Sequence, residues 1–187
     1  GITSRLFPYF RDKQKGHNGF IFITFVVMLI GFVLFLVSFL FLKPLLLESN
    51  TEKSQLFVNY IDLLIPLTFF TLLFVQLDVF NKVLYDAVLG TFLQEFLQRI
   101  LILVVILLFA FGIINFNQML LAYATSVCIK GVVLFVYLFL KGELRIKPQL
   151  HFVDKKMRKE MVNVALFSIL AGLGGSIVFN IDKIIIN

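Results

Sequence analysis

Residues 19–42 run for 24 positions without a charged side chain. As a helix this stretch is roughly 36 Å long, enough to cross a hydrocarbon core of about 30 Å with some tilt. It is too long for an ordinary soluble core helix and lacks the alternation of an outer-membrane strand. Lipid offers the backbone no hydrogen-bonding partner, so such a run must be helical. The stretch 56–77 repeats the pattern, interrupted by Asp62 and Pro66. Residues 100–129 are 30 positions without charge, broken by Asn115-Phe116-Asn117-Gln118. They read as the end of a third span, a tight turn, and the start of a fourth running to Leu140. Residues 161–181 form a fifth uncharged run of 21. The expected fold class is all-α, a polytopic transmembrane helix bundle. Its spans fall near 19–42, 56–77, 95–114 and 118–140, with Lys43-Pro44 closing the first.

Composition agrees. Apolar residues make up 60% of the 187 and charged residues 15%, against about 25% in soluble domains. A soluble fold would have to cover its surface with 17 basic and 11 acidic side chains, which is too few. Soluble enzyme, nucleic-acid binder and secreted disulfide scaffold are thereby excluded. The net charge of +6 would suit a polyanion, but the charges sit in short stretches between apolar runs, which is a topology pattern. Cys128 stands alone in an apolar run, so neither a disulfide framework nor a CxxC metal site is available. His17 and His151 lie in separate polar connectors, and no metal site is expected.

The connectors orient the chain. Residues 1–18, 78–99 and 141–160 together carry 13 Lys and Arg, whereas 43–55 and 115–118 carry two. The positive-inside rule places the first three in the cytoplasm. The connector 141–160 is long and basic and contains Pro148; its stretch 154–160 reads as a surface helix. It serves either as a topology signal lying on anionic headgroups or as a linker between two helix bundles.

Polar groups inside the spans are the candidates for chemistry, because an ionisable group there costs about 2.5–3.5 kcal/mol and usually faces the bundle interior. Lys130 lies near the middle of the fourth span. It either pairs with a neighbouring acid or lines a cavity that attracts an anionic substrate, and Gly131, Ala122, Ala124 and Ser126 permit close helix contact around it. Asp62, at the outer end of the second span, either pairs with Lys130 or is hydrated at the interface. Glu95 and Arg99 are spaced i, i+4 in the favourable order; they form an interfacial pair, or Arg99 faces the mouth of a cavity. Asp182-Lys183 follows Asn180 and the glycines of Gly172-Leu173-Gly174-Gly175, which pack tightly or break the helix. Tyr9, Tyr60, Tyr85 and Tyr137 sit near span ends, where interfacial rings are common. Paired aspartates for glycosyl transfer, HExxH, a Walker loop and a Ser-His-Asp set are all missing from the sequence, so neither an enzyme nor a bound cofactor is expected.

Several stretches resemble a known family. They are Arg5-Leu-Phe-Pro-Tyr-Phe-Arg-Asp-Lys-Gln-Lys-Gly-His17, Thr51-Glu-Lys-Ser-Gln-Leu-Phe57, Gly90-Thr-Phe-Leu-Gln-Glu-Phe-Leu-Gln-Arg99, Leu166-Phe-Ser-Ile-Leu-Ala-Gly-Leu-Gly-Gly175 and Asn180-Ile-Asp-Lys-Ile184. Together they are similar to bacterial polysaccharide- and lipopolysaccharide-biosynthesis flippases of the multidrug/oligosaccharidyl-lipid/polysaccharide exporter superfamily. The resemblance implies two pseudo-symmetric helix bundles. Residues 1–140 would supply family helices three to six, 141–160 the cytoplasmic linker, and 161–187 the seventh helix, opening the second bundle. Further membrane helices of the same protein are then expected on both sides. It implies a multi-pass protein of the bacterial inner membrane, moving an undecaprenyl-pyrophosphate-linked oligosaccharide by alternating access. Lys130, Arg99, Asp182 and Lys183 are the candidate cavity residues, with Asp62 and Glu95 as candidate structural partners. Membrane lipids are expected around it and nucleic acid is not. A drug or cation antiporter of the same superfamily, and a non-transporting membrane subunit that scaffolds a synthase, are the alternatives.

Overall fold

A computed structural model describes residues 2–10, 12, 17–50, 55–144 and 155–185. Helix α1 is Ile2–Phe10, and a 3-10 turn, His17–Gly19, leads into the long α2, Phe20–Asn50. Helix α3, Gln55–Tyr60, passes through the 3-10 turn Ile61–Leu63 into α4, Leu64–Val83. Helix α5, Ala87–Phe92, continues through a π-helical turn, Leu93–Leu97, into α6, Gln98–Ala110. Helix α7 is Phe116–Leu140 and α8 is Lys155–Ile185. Among the described residues there is no strand. Four stretches are long and apolar enough to cross a membrane: Phe20–Leu45, Val58–Val83, Ala87–Ala110 and Phe116–Leu140. The protein is therefore an all-α bundle of multi-pass membrane type. The expected fifth run lies within the single helix α8; the side chains of Asp182 and Lys183 lie outside the described residues.

Several boundaries differ from the expected ones. Helix α2 does not stop at Lys43-Pro44 but carries Pro44 inside it and runs on to Asn50. Proline removes one backbone hydrogen bond, a loss that membrane helices tolerate. The connector 78–99 shrinks to the turn 84–86, because α4 runs through Asp78 and Lys82 and the third span starts at Ala87. Charge was taken there as the mark of a loop, but i, i+4 pairing lets both helices keep their charged residues. The leading segment 1–18 contains helix α1, which packs on α4. Nine residues with an internal Pro8 are marginal alone, so tertiary contacts make this helix. The break between the third and fourth spans falls at 111–115 rather than 115–118. There Asn115 opens α7, its N–H donating to Gln118 Oε1 at 3.0 Å, the backbone half of a capping box.

Three helix ends share one geometry. After α4, Tyr85 N–H donates to the Lys82 carbonyl and Asp86 N–H to Asn81, both at 3.1 Å. After α6, Gly112 pairs with Phe109 and Ile113 with Leu108; after α7, Gly142 pairs with Phe139 and Glu143 with Leu138. Each is a Schellman motif, which requires a left-handed residue past the cap. Gly112 and Gly142 supply it at φ +70° and +73°, but Tyr85 does so at φ 63°.

The bundle has two ends. The start of α2, the end of α4, the start of α5 and the end of α7 meet at one, here termed the His17 end. Lys43, Asp62 and Asn117 mark the other. The core lies toward the His17 end, where Leu6, Phe7 and Phe10 of α1 pack with Phe20, Ile21, Phe74, Leu77, Phe80, Leu93, Leu134 and Leu138. Phe7 meets Phe20 and Phe80 edge-on at 5.6 and 5.5 Å between centroids. The outward faces carry exposed Leu34, Phe41, Leu103 and Val136, as lipid-facing surface should.

Helix α4 is central, and its contact with α7 is the most extensive between helices. A Cβ on Gly131 would stand 2.9 Å from the Phe70 carbonyl oxygen, too close for any side chain without backbone movement. Gly131→Ala is expected to destabilise the protein by about 1–3 kcal/mol, read as a lower thermal midpoint in detergent. Gly31→Ala, where nothing lies within 4 Å, is expected to leave the midpoint unchanged or raise it.

Candidate functional site

Counting along each helix from the His17 end reveals a layer of ionisable groups. Lys130 stands ten residues before the end of α7, roughly 15 Å in. Phe74 stands nine residues before the end of α4, roughly 14 Å in, and Glu95 and Arg99 eight and twelve residues after Ala87, roughly 12 and 18 Å in. These groups share one level, about halfway along their helices. The π-helical turn Leu93–Leu97 lies in the same layer, a distortion that recurs at functional sites.

Lys130 is 8% exposed and faces α4, not lipid. Its Nζ stands 4.6 Å from the centroid of the Phe74 ring, a cation–π contact of the kind that strengthens when desolvated. The carboxylates whose charges act on it are Asp78 and Glu95. Asp78 is the acid that sequence reasoning missed. It is buried one turn beyond Phe74 on α4, with Oδ2 accepting from Lys82 Nζ at 2.6 Å and Oδ1 without a hydrogen-bond donor. The space for this carboxylate comes from Gly90 of α5, where a Cβ would lie 1.8 Å from Asp78 Oδ1. The available signals were the i, i+4 spacing of Asp78 and Lys82 and a glycine early in the next helix.

Glu95 and Arg99 form their expected i, i+4 ion pair. Its position is not the expected one: the helix begins at Ala87, so the pair lies inside the third candidate span rather than at its edge. The Arg99 side chain is 74% exposed and points away from the bundle. Asp62 does not reach Lys130. It pairs with Lys43 Nζ at 2.6 Å, because it sits twelve residues before Phe74 at the opposite end. There Tyr60 also donates to Asn117. Asp182 and Lys183 cannot be placed, since their side chains fall outside the described residues.

The His17 end carries a second polar set that the sequence did not announce. His17 is 3% exposed, and its Nε2 lies 3.1 Å from Glu143 Oε2. Asn81, fully buried, donates through Nδ2 to the Asp86 carbonyl. Asp86 Oδ2 accepts from Tyr137 at 2.5 Å and from Lys141 at 2.8 Å. The Lys141 hydrogen bond, then that of Tyr137, holds the Asp86 carboxyl below its ordinary range, and the bond to Asp86 holds the Lys141 ammonium above its own. Both groups lie outside the spans. They tie the turn after α4 to the end of α7.

No protein-family model, curated protein or solved structure matches the chain.

Two predictions concern these contacts. Gly90→Ala is expected to lower the thermal midpoint, because the new methyl displaces the Asp78 carboxylate. In an Asp78→Ala background the same change is expected to cost much less, and a double-mutant cycle reads the difference directly. The pH dependence has a definite sign. Asp86, with its lowered pKa, stabilises the fold above the unfolded carboxylate value and stops doing so as pH falls through the folded one. Lys141, with its raised pKa, stabilises below the unfolded amine value and stops as pH rises through the folded one. The midpoint difference between wild type and Asp86→Asn is therefore expected to be flat from roughly pH 5 to 9 and to shrink below about pH 4.

Proposed function

We propose that the chain is part of a flippase that moves a lipid-linked oligosaccharide across the bacterial inner membrane by alternating access. The observation that carries this reading is the exposed Glu95–Arg99 pair at half depth. A guanidinium set against acyl chains is costly, so this face belongs on a hydrated pathway. Dragging a pyrophosphate and sugar hydroxyls through hydrocarbon is the obstacle such a protein must remove. A hydrated face presenting Arg99, with Lys130 inside the bundle, supplies cations where the anionic group crosses while the polyprenyl tail stays in lipid. The sequence stretches similar to polysaccharide flippases support the same substrate class. The excess of Lys and Arg in residues 1–18 and 141–160 supports a cytoplasmic His17 end.

One observation favours a second reading, a cation antiporter. Asp78 offers a buried carboxylate oxygen with no donor, which is a feature of cation and proton relays. Transport of an organic cation against a proton gradient, with no movement of anionic lipid, would select it.

The test is flipping of lipid-linked oligosaccharide in proteoliposomes. Arg99→Gln and Lys130→Ala are expected to slow it by about tenfold or more, as loss of a charge-assisted contact does. Lys130→Arg is expected to retain most of the rate. Arg99 is exposed, so its variant tests the pathway without disturbing the core. No flipping by wild type would overturn the proposal and leave the antiporter or a scaffold subunit as the reading, and an unchanged rate in Arg99→Gln would remove Arg99 from the pathway.

A further inference from the structure

Lys130 and Asp78 are two halves of an ion pair that is not closed. The Lys130 ammonium lies over the Phe74 ring, and among the described residues it has no carboxylate within ion-pairing distance. Asp78 is equally buried, and its Oδ1 has no donor. A buried charge without a counter-charge and a buried acceptor without a donor are each costly. Here both occur on facing helices. Asp78 stands four residues beyond the ring that Lys130 covers, one helical turn or roughly 6 Å along α4. Other charges bear on this space. Glu95, the second carboxylate whose field reaches Lys130, is taken by Arg99. Helix α5, which lays Gly90 against Asp78 Oδ1, carries no ionisable side chain. Lys82 holds Asp78 Oδ2 at 2.6 Å from the next-to-last position of α4, with its side chain 49% exposed. Water can therefore solvate that ammonium when the carboxylate leaves, and a half-exposed pair of this kind adds little to stability.

We propose that Asp78 exchanges partners between Lys82 and Lys130. In the arrangement described above it holds Lys82 and leaves Lys130 to Phe74. In the other its carboxylate closes on Lys130, and Lys82 is hydrated at the His17 end. Rotamer changes of the two side chains accomplish this with both helices in place, since a lysine carries its charge on a flexible four-carbon stem. The two arrangements balance for opposite reasons. The first keeps the cation–π contact and the bond to Lys82; the second gives up both but neutralises the buried ammonium. An anion arriving at Lys130 takes the place of Asp78 and returns it to Lys82, so the acid is the resident counter-ion of that lysine. This consequence rests on the reading of Lys130 as a cation of the transport pathway; the exchange itself does not.

The experiment is amine labelling of the full chain in detergent with an N-hydroxysuccinimide ester, modification of Lys82 being read by mass spectrometry well below each variant's thermal midpoint. Lys82 reacts faster while Asp78 is elsewhere, so Asp78→Asn is expected to speed its labelling. Lys130→Met removes the competing partner and is expected to slow it by about threefold, as follows if Asp78 divides its time between the two lysines. Lys130→Gln, which keeps a polar tip over Phe74, is expected to do the same. Lys43, paired with Asp62 at the opposite end, is expected to react equally in every variant. Unchanged Lys82 labelling in the Lys130 variants would overturn the proposal, because a fixed Asp78–Lys82 pair is blind to Lys130. The slowing is expected to vanish in an Asp78→Asn background; persistence there would mark a direct field effect on Lys82 and would also overturn it. Lipid-linked oligosaccharide is expected to slow Lys82 labelling in wild type. If the Lys130 variants slow it and that lipid does not, the exchange stands and the reading of Lys130 as an anion site fails.

Discussion

At Gly131 the backbone of α7 comes so near α4 that the Phe70 carbonyl would lie 2.9 Å from a Cβ. That approach decides where the neighbouring Lys130 can go. With the helices this close, its ammonium reaches the face of Phe74 and the field of Asp78 rather than lipid. A wider separation would leave the charge roughly 15 Å from the end of its helix with no partner, a position that hydrocarbon penalises. Gly90 does for Asp78 what Gly131 does for Lys130: the missing side chain is the room the carboxylate occupies. The two glycines thus govern the placement of an acid and a base on facing helices.

The His17 end is held differently. The turn after α4, the end of α7 and the entry to α2 are joined by polar side chains in addition to the packing of the core: Asp86 to Tyr137 and Lys141, Asn81 to the Asp86 carbonyl, His17 to Glu143. The left-handed Tyr85 sets this up by completing the cap that delivers Asp86 N–H to Asn81. A bilayer gives no hydrophobic drive to helix association, so a polar clasp at the water-facing end and close glycine contacts inside are complementary ways of holding spans together. The aromatic core around Phe7, Phe20 and Phe80 lies beside the clasp and fills the space under α1.

Charge on the outer surface has another meaning. The Glu95–Arg99 pair faces away from the bundle at half depth, beside a π-helical turn, whereas Lys155, Arg158 and Lys159 face outward at the end. Depth separates the two. Charge at the level of headgroups meets phosphates and water at little cost, but charge at mid-span needs an aqueous or protein neighbour. The same residue types therefore meet different physical demands at the two depths.

The sequence by itself determined the fold class and the number of spans before residue 141, because a long, predominantly apolar run has one stable conformation in lipid. It also contained the Glu95–Arg99 pair, whose spacing is local, and it singled out Lys130, because a lone lysine in such a run is conspicuous. It did not contain the company Lys130 keeps. The sequence offered Asp62 as a partner for it, yet the ring that Lys130 meets is Phe74, one turn from Asp78, since which residues face each other depends on helix rotation and register. Loop assignments failed where charges were read as the ends of helices, at 78–99 and at Lys43-Pro44. Helix α1, the Gly90 slot and the His17–Glu143 pair were illegible for the same reason: each exists only when segments distant along the chain are packed together. Hydropathy is a property of one helix at a time, and it stops at the lipid-facing surface. What lies between helices is settled by close approach, and only the tertiary structure decided that.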